Sequence, residues 1–411
     1  MLDFPVRIVP RDPSRATTLP ARFEPRKLNK SASAHLDMIR GLAAWAVMWG
    51  HLRALFFVDF RHLERGSLPL SVLYFFTGFG NQAVMVFFVL SGFLISSAII
   101  GRRVSGDWSW HDYAMDRASR LYVVLIPGLL FGLLWDKMGS LLFEFRHIYS
   151  QPIDGFGTAV AQSQLTFDTF LGNLFFLQTI LCPTFGSNGP LWSLANEFWY
   201  YVLFPVALAA GVAWASPSVR TAIPLTILTA CLAVFLGPHI LVGFLIWLTG
   251  TVLVFANANW RFLAKSRLNL YALATILLLS GCLISARSGR HVILGSDLCV
   301  GIAFSLFLFA VLQMDMEKEG SAYPRAAHFL AGFSYSLYVL HFPLLVFLRA
   351  WLVPPQRWQP DVLHLTYGVF LGMAILGFAS LVSVFTERNT RAARSWMKRM
   401  IPASLPTETD S

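Results

Sequence analysis

Apolar residues in this chain fall into ten blocks, and that grouping constrains the fold more than any single residue does. The blocks are 36–57, 82–101, 121–141, 191–213, 222–237, 239–257, 268–286, 292–312, 329–350 and 362–386. Most have the ~17–25 residues that cross a bilayer as a helix. The fifth and sixth are short and separated only by Pro238. No lipid-exposed sheet edge or loop can satisfy its backbone hydrogen bonds in hydrocarbon, and the dyad alternation of a membrane barrel is absent. The expected fold is therefore an all-α integral membrane protein of about ten transmembrane helices. A chain 56% hydrophobic and 13% charged, with mean hydropathy +0.59, is too apolar for a soluble domain of 411 residues. The stretch 170–181 is apolar but too short to span, and reads as re-entrant or interfacial.

Orientation follows from Lys and Arg placement. With the N-terminus inside, 22 of the 32 basic residues are cytoplasmic and eight lie in the outer loops or at the outer ends of the blocks. Both termini are thus expected in the cytoplasm. The organisation reads as a basic, disordered tail over 1–35, a membrane domain over 36–386 and a second cytoplasmic tail over 387–411. The first 35 residues are polar and do not resemble a cleavable signal peptide. The net charge of +10 is accounted for by topology and anionic lipid rather than by nucleic acid. Cys182, Cys231, Cys282 and Cys299 lack metal-ligand spacing. Cys282 and Cys299 both approach the outer face, and their pairing is open.

Within the first block, Arg40 and His51 are eleven residues apart. At about 100° per residue they share one helix face, roughly 16 Å apart along it, and Asp37 lies within about 40° of that face. A charge in hydrocarbon is costly and marks a protein interior or a watery cavity. A cation near one end and an imidazole near the other suggest a site that communicates with both membrane surfaces.

Four other regions place polar groups where lipid would exclude them. Ser91-Gly92 ends the second block with small residues suited to close helix packing. Beyond it, Arg117 and Arg120 stand one turn apart at the inner mouth of the third block. They read either as positive-inside anchors or as a phosphate clamp. In Leu191-Trp192-Ser193-Leu194-Ala195-Asn196-Glu197, Glu197 is expected one to two turns in from the outer face. There it serves a site or forms a structural ion pair with His51 or Arg53. Tyr200 and Tyr201 follow beside it, Trp199 suits an interfacial belt, and Ser193 caps a helix more readily than it acts as a nucleophile. Tyr335, Tyr338 and His341 repeat every third residue as a polar stripe. The outer loop 143–188 carries Gln151, Asp154, Gln162, Gln164, Asp168, Asn173 and Gln178. These suit a carbohydrate, although a plain polar loop is the simpler reading.

Taken together, these motifs resemble the acyltransferase-3 family of integral membrane acyltransferases over roughly residues 33–390. The resemblance rests on Arg40 and His51, Phe87-Phe88-Val89-Leu90-Ser91-Gly92-Phe93, Arg117 with Arg120, the Trp192–Tyr201 segment around Glu197, Ser334-Tyr335-Ser336-Leu337-Tyr338 with His341-Phe342-Pro343, and Thr386-Glu387-Arg388. It is similar to stand-alone members that lack a fused esterase-like domain. The resemblance implies transfer of an acyl group, usually acetyl from cytoplasmic acetyl-CoA, to a hydroxyl of a cell-surface or exported carbohydrate or glycolipid. It also implies a bacterial inner membrane, a link to envelope polysaccharide biosynthesis, a required His51 and Arg40, and an arginine pair associated with the donor.

The chemistry gives each residue an expected role. Phosphates of an acyl-CoA belong at the basic inner mouth, with Arg117, Arg120 and Arg40. His51 acts as general base or is itself acylated. Glu197 orients or charge-balances the imidazole. Trp192, Tyr200, Tyr338 and His341 are the candidates for contacting substrate, and no metal is expected. The rival readings are a transporter or flippase of a glycan or lipid intermediate, and a non-catalytic assembly partner.

Overall fold

The structure is a computed structural model that describes residues 28–153, 160–215, 219–259, 265–287, 296–314, 322–354 and 356–401. The tail over 1–27 and Asp154 of the outer loop lie outside the described residues. Thirteen α-helices are present among the described residues: α1 Lys30–Phe56, α2 Leu68–Phe76, α3 Gly80–Val104, α4 Trp110–Leu142, α5 Phe167–Leu174, α6 Leu191–Trp214, α7 Val219–Asn259, α8 Lys265–Arg287, α9 Asp297–Gln313, α10 Ala322–Ala331, α11 Ser334–Leu352, α12 Val362–Phe385 and α13 Thr390–Met400. Among these residues there is no strand beyond two isolated bridges. Seven helical segments are long and apolar enough to cross a membrane, and α9 is a shorter apolar helix. α1, with its internal charges, is not among the seven.

Local chemistry moves several boundaries. α1 begins at Lys30, inside the expected tail, because the Asn29 side chain accepts from Ala32 N at 2.7 Å and caps the first turn. The fifth and sixth blocks are two helical halves that meet at a kink within α7. The kink is at Gly237, whose φ of +73° suits glycine, directly before Pro238. The ninth block divides at Gly332–Phe333, where Gly332 N closes α10 on His328 O and α11 starts afresh. Ser91 and Gly92 do not end a helix but sit in the middle of α3. Cys282 and Cys299 pack in one small cluster without a disulfide. Part of the second tail is α13, held on α4 by Arg394 to Asp116 and by Lys398 to Asp112.

Helix packing gathers the polar motifs. α3 lies against α7 at glycine contacts. A Cβ on Gly92 would fall 1.9 Å from the Trp247 carbonyl oxygen, and one on Gly250 would fall 2.1 Å from that of Val89. Ser96 and Thr251 hydroxyls meet across the same seam at 2.6 Å. α1 packs on α3, α10 and α11, and α4 packs on α11. Two apolar clusters result. Val47 of α1 belongs to the one built around α3, α6 and α7, and Met48 to the one shared with α11 and α12. α8 turns Leu270, Leu273, Leu277 and Ile284 outward, a surface that hydrocarbon accepts and water does not.

Candidate active site

His51 of α1 and His341 of α11 are joined Nδ1 to Nε2 at 2.8 Å. Their ring planes differ by 5° with centroids 5.1 Å apart. That is as far as a 2.8 Å N···N contact lets two imidazoles separate, so the rings meet edge to edge in one plane. His341 Nδ1 lies 2.9 Å from Leu337 O, one turn back in the same helix. A carbonyl only accepts, so His341 Nδ1 carries its proton and Nε2 is its acceptor. His51 Nδ1 must then donate to it, which leaves Nε2 as the basic nitrogen of His51. Phe342 packs edge-on to His51 at 4.9 Å.

Two helix-interior prolines help build this region. Pro343 has no N–H, so the Val339 carbonyl four residues back loses its helical partner. The Asn188 side-chain amide donates to that carbonyl at 3.0 Å. Pro205 of α6 likewise leaves the Tyr201 carbonyl open, and Tyr113 OH donates to it at 2.9 Å. The loop before α6 is therefore pinned to Val339 of α11, and α6 starts at that level. Ser193 lies at the same level, its hydroxyl 2.6 Å from Tyr338 OH. The segment around α5 folds inward with it. Asn173, Phe176 and Gln178 are fully buried, and Gln178 donates to Leu191 O at 2.9 Å. Asn173 donates to Pro183 O and accepts from Phe185 N. These amides hold the loop's own backbone.

Below the histidines lies a second polar group. The two Glu197 carboxylate oxygens accept from the hydroxyls of Tyr201 and Tyr335. The Arg120 guanidinium sits over the Tyr335 ring, 5.2 Å from its centroid, and Arg117 sits 5.8 Å over Tyr201. Arg40 donates to Asp37 at 3.0 Å and lies within electrostatic reach of Arg120 and Glu387. Glu387 accepts from Ser336 N at 3.2 Å. The Nε atoms of Arg40, Arg103 and Arg117 are buried without a hydrogen-bond partner. Orphaned guanidinium donors of this kind fit phosphate oxygens. Tyr335, Tyr338 and His341 run up α11 from Glu197 to His51. Beside the stripe is a cavity of about 30 Å³ lined by Ser193, Glu197, Tyr335 and Tyr338, room for one or two waters.

The family described as an acyltransferase domain matches residues 33–385. The chain belongs to the acyltransferase-3 family. Two curated relatives are each 28% identical to this chain. One is named "Putative peptidoglycan O-acetyltransferase YrhL" of Bacillus subtilis (strain 168), aligned over 190 residues, 42% of this chain and 27% of that protein. The other is the "O-acetyl transferase" of Shigella phage Sf6, over 178 residues, 42% of this chain and 45% of that protein. The chain thus spans less than half the length of either relative. No solved structure matches it.

The expected residues do not all meet. The stripe and the arginines come together, but Glu197 does not touch His51. Its partners are two tyrosines, and His51 bonds to His341. Glu197 sits level with Tyr335, in the first turn of α11. α6 begins beside Tyr338 and Val339 of α11, a placement that the composition of the loop does not encode. Arg53, the other suggested partner of Glu197, lies over Tyr74 at 5.2 Å. Tyr200 turns away from the stripe, donating to Ile240 O at 3.0 Å, and Trp192 packs on Phe88 with 6.0 Å between centroids. Two acids gain importance only in the fold. Glu387 stands out in the sequence as no more than a helix exit. Asp136, fully buried in α4, accepts from Ser187 N and Oγ, both at 2.7 Å. An acid inside an apolar block is the signal available for it.

Proposed function

We propose that the chain is a membrane-embedded O-acyltransferase that moves an acetyl group from cytoplasmic acetyl-CoA to a carbohydrate hydroxyl presented on the outer side. The observation that carries this reading is the oriented His51–His341 pair, placed above buried arginines with unmet donors. Arg117, Arg120 and Arg40 would hold the CoA phosphates, and Arg103 stands nearby with a further orphan Nε. Acetyl-CoA, when bound, supplies the acetyl group as a thioester. His51 Nε2 takes the proton of the acceptor hydroxyl. The hydroxyl oxygen bonds to the acetyl carbon, the carbon–sulfur bond breaks, and the sulfur leaves with the proton that His51 held. His341 keeps the basic nitrogen of His51 aimed at the acceptor. Tyr338 and Ser193 line the path between the pair and Glu197.

A second version of the same chemistry has His51 Nε2 carry the acetyl group before the acceptor receives it. The test is purified protein in nanodiscs with radiolabelled acetyl-CoA, wild type beside His51→Ala. Label transfer or CoA release lost in the variant is expected. Label retained on wild-type protein without acceptor, and absent from the variant, selects the carrier version. A folded His51→Ala protein with undiminished transfer would end both.

A further inference from the structure

One turn beyond His51 on α1, Ala54 and Leu55 form part of the lining of a cavity of about 580 Å³, well within the size of small-molecule sites. Arg146, Arg349, Arg357, His62 and His147 also line it, and among the described residues the lining holds no Asp or Glu. This end of the bundle is the one that charge distribution assigns to the outside, where Lys and Arg should be scarce. Three arginines around one cavity on that face call for a local cause.

Part of the cause is structural. Arg357 donates to the α1 carbonyl of Ala54 at 3.0 Å and grips Asp59 through two bonds of 3.2 and 2.8 Å. Arg349 donates to Val353 O and Pro354 O beyond the end of α11, at 3.0 and 2.8 Å. Arg146 has no such duty. Its guanidinium rests 5.1 Å over the Phe145 ring, and its Nε is buried with no hydrogen-bond partner. Asp59 offsets one arginine, and the C-termini of α1 and α11 beside the cavity carry about half a negative charge each. The three arginines therefore leave the cavity with about one net positive charge.

We propose that this cavity is the acceptor vestibule and that it selects a carbohydrate carrying an anionic group, a carboxylate or a phosphate, close to the hydroxyl that is acylated. The assignment of the bound sugar as acceptor rests on the acyltransferase reading, whereas the charge selectivity of the cavity does not. Arg146 is the recognition residue, its planar fork matching either anion. Arg357 adds field while it holds the cavity wall. The sugar ring then lies one helical turn, about 5 Å, from the level of His51.

The experiment uses the full chain in phosphatidylcholine nanodiscs and measures equilibrium binding of three ligands. These are a uronate-containing oligosaccharide, its carboxyl-reduced neutral counterpart, and a phosphorylated oligosaccharide of similar length. At least one charged ligand is expected to bind about tenfold or more tightly than the neutral one, with the gap narrowing as salt is raised. Which charged ligand wins identifies the anion. Arg146→Gln should remove most of the preference and Arg146→Lys should keep part of it, both checked for wild-type melting. Equal binding of all three ligands, binding of none, or full preference in a folded Arg146→Gln protein would each overturn the proposal. CoA release from acetyl-CoA is measured alongside. Charge preference without CoA release would sink the acyltransferase reading and leave the anionic site standing.

Discussion

His51 and His341 share one hydrogen bond, and the carbonyl of Leu337 decides its direction. Replacing His341 should therefore affect the chemical step more than donor binding. We expect His341→Ala to lower kcat about ten- to a hundredfold, part of the ~10²–10⁴ that general-base catalysis contributes, with little change in KM for acetyl-CoA. His341→Gln, whose amide oxygen can still accept from His51 Nδ1, should recover part of the loss. Steady-state kinetics on both variants decide this, and wild-type kcat in His341→Ala would refute it.

Tyr335 serves Glu197 through its hydroxyl and Arg120 through its ring. Tyr335→Phe keeps the second contact and removes the first. The expected cost is about 1–3 kcal/mol for leaving a buried acceptor with one donor fewer. It would be read as a lowered melting temperature. Tyr201→Phe removes the other donor, so the double variant should depart from additivity because both act on one carboxylate.

Arg117 stacks on Tyr201 and Tyr113 with its Nε unmet. Under the proposed function, Arg117→Gln should raise KM for acetyl-CoA about tenfold or more through the loss of a charge-assisted contact. Donor titrations at saturating acceptor would show it. An unchanged KM would remove Arg117 from the donor site.

Gly250 is where α7 meets α3 closely, a Cβ there falling 2.1 Å from the Val89 carbonyl oxygen. Gly250→Ala should cost about 1–3 kcal/mol as the helices part. At Gly377 of α12 an added Cβ would meet nothing within 4 Å, so Gly377→Ala should be neutral or stabilising by up to about 1 kcal/mol. Thermal melts of the two variants in one detergent give the comparison.

Asp59 lies in the loop after α1, and its hydrogen bond to Arg357 holds its carboxyl below the usual range. A depressed folded-state value stabilises above the unfolded pKa of about 3.9 and is lost as pH falls through the folded value. The side chain is 48% exposed, which limits the contribution to under about 1 kcal/mol. Asp59→Asn should therefore melt slightly below wild type at neutral pH, and the gap should close below about pH 4. A gap that persists in acid would mean that Asp59 acts by something other than its charge.

Most helix positions are legible in the sequence because apolar length reports on hydrocarbon thickness, and the Gly237-Pro238 bend because both residues act locally. The polar stripe of α11 and the shared face of Arg40 and His51 follow from helical periodicity. Partners are not legible. Nothing near His51 in sequence points to His341, and nothing near Glu197 points to Tyr335. The place of Glu197 beside Tyr335 depends on Gln178, Asn188 and Ser193 drawing the loop into the bundle, and these bonds are made only in tertiary structure. Glu387 and Asp136 stay hidden for the same reason, since each matters through a residue far away in sequence.

The bond between the Asn188 amide and the carbonyl that Pro343 leaves open has an evolutionary consequence. A residue with an N–H in place of Pro343 would close the helical bond to Val339 and strand the amide. Replacing Asn188 alone would strip the carbonyl of its donor from the loop. Either change by itself carries a cost of about 1–3 kcal/mol, while both together can restore balance. The two positions should therefore drift as a pair, tying the history of the outer loop to that of the helix that carries His341.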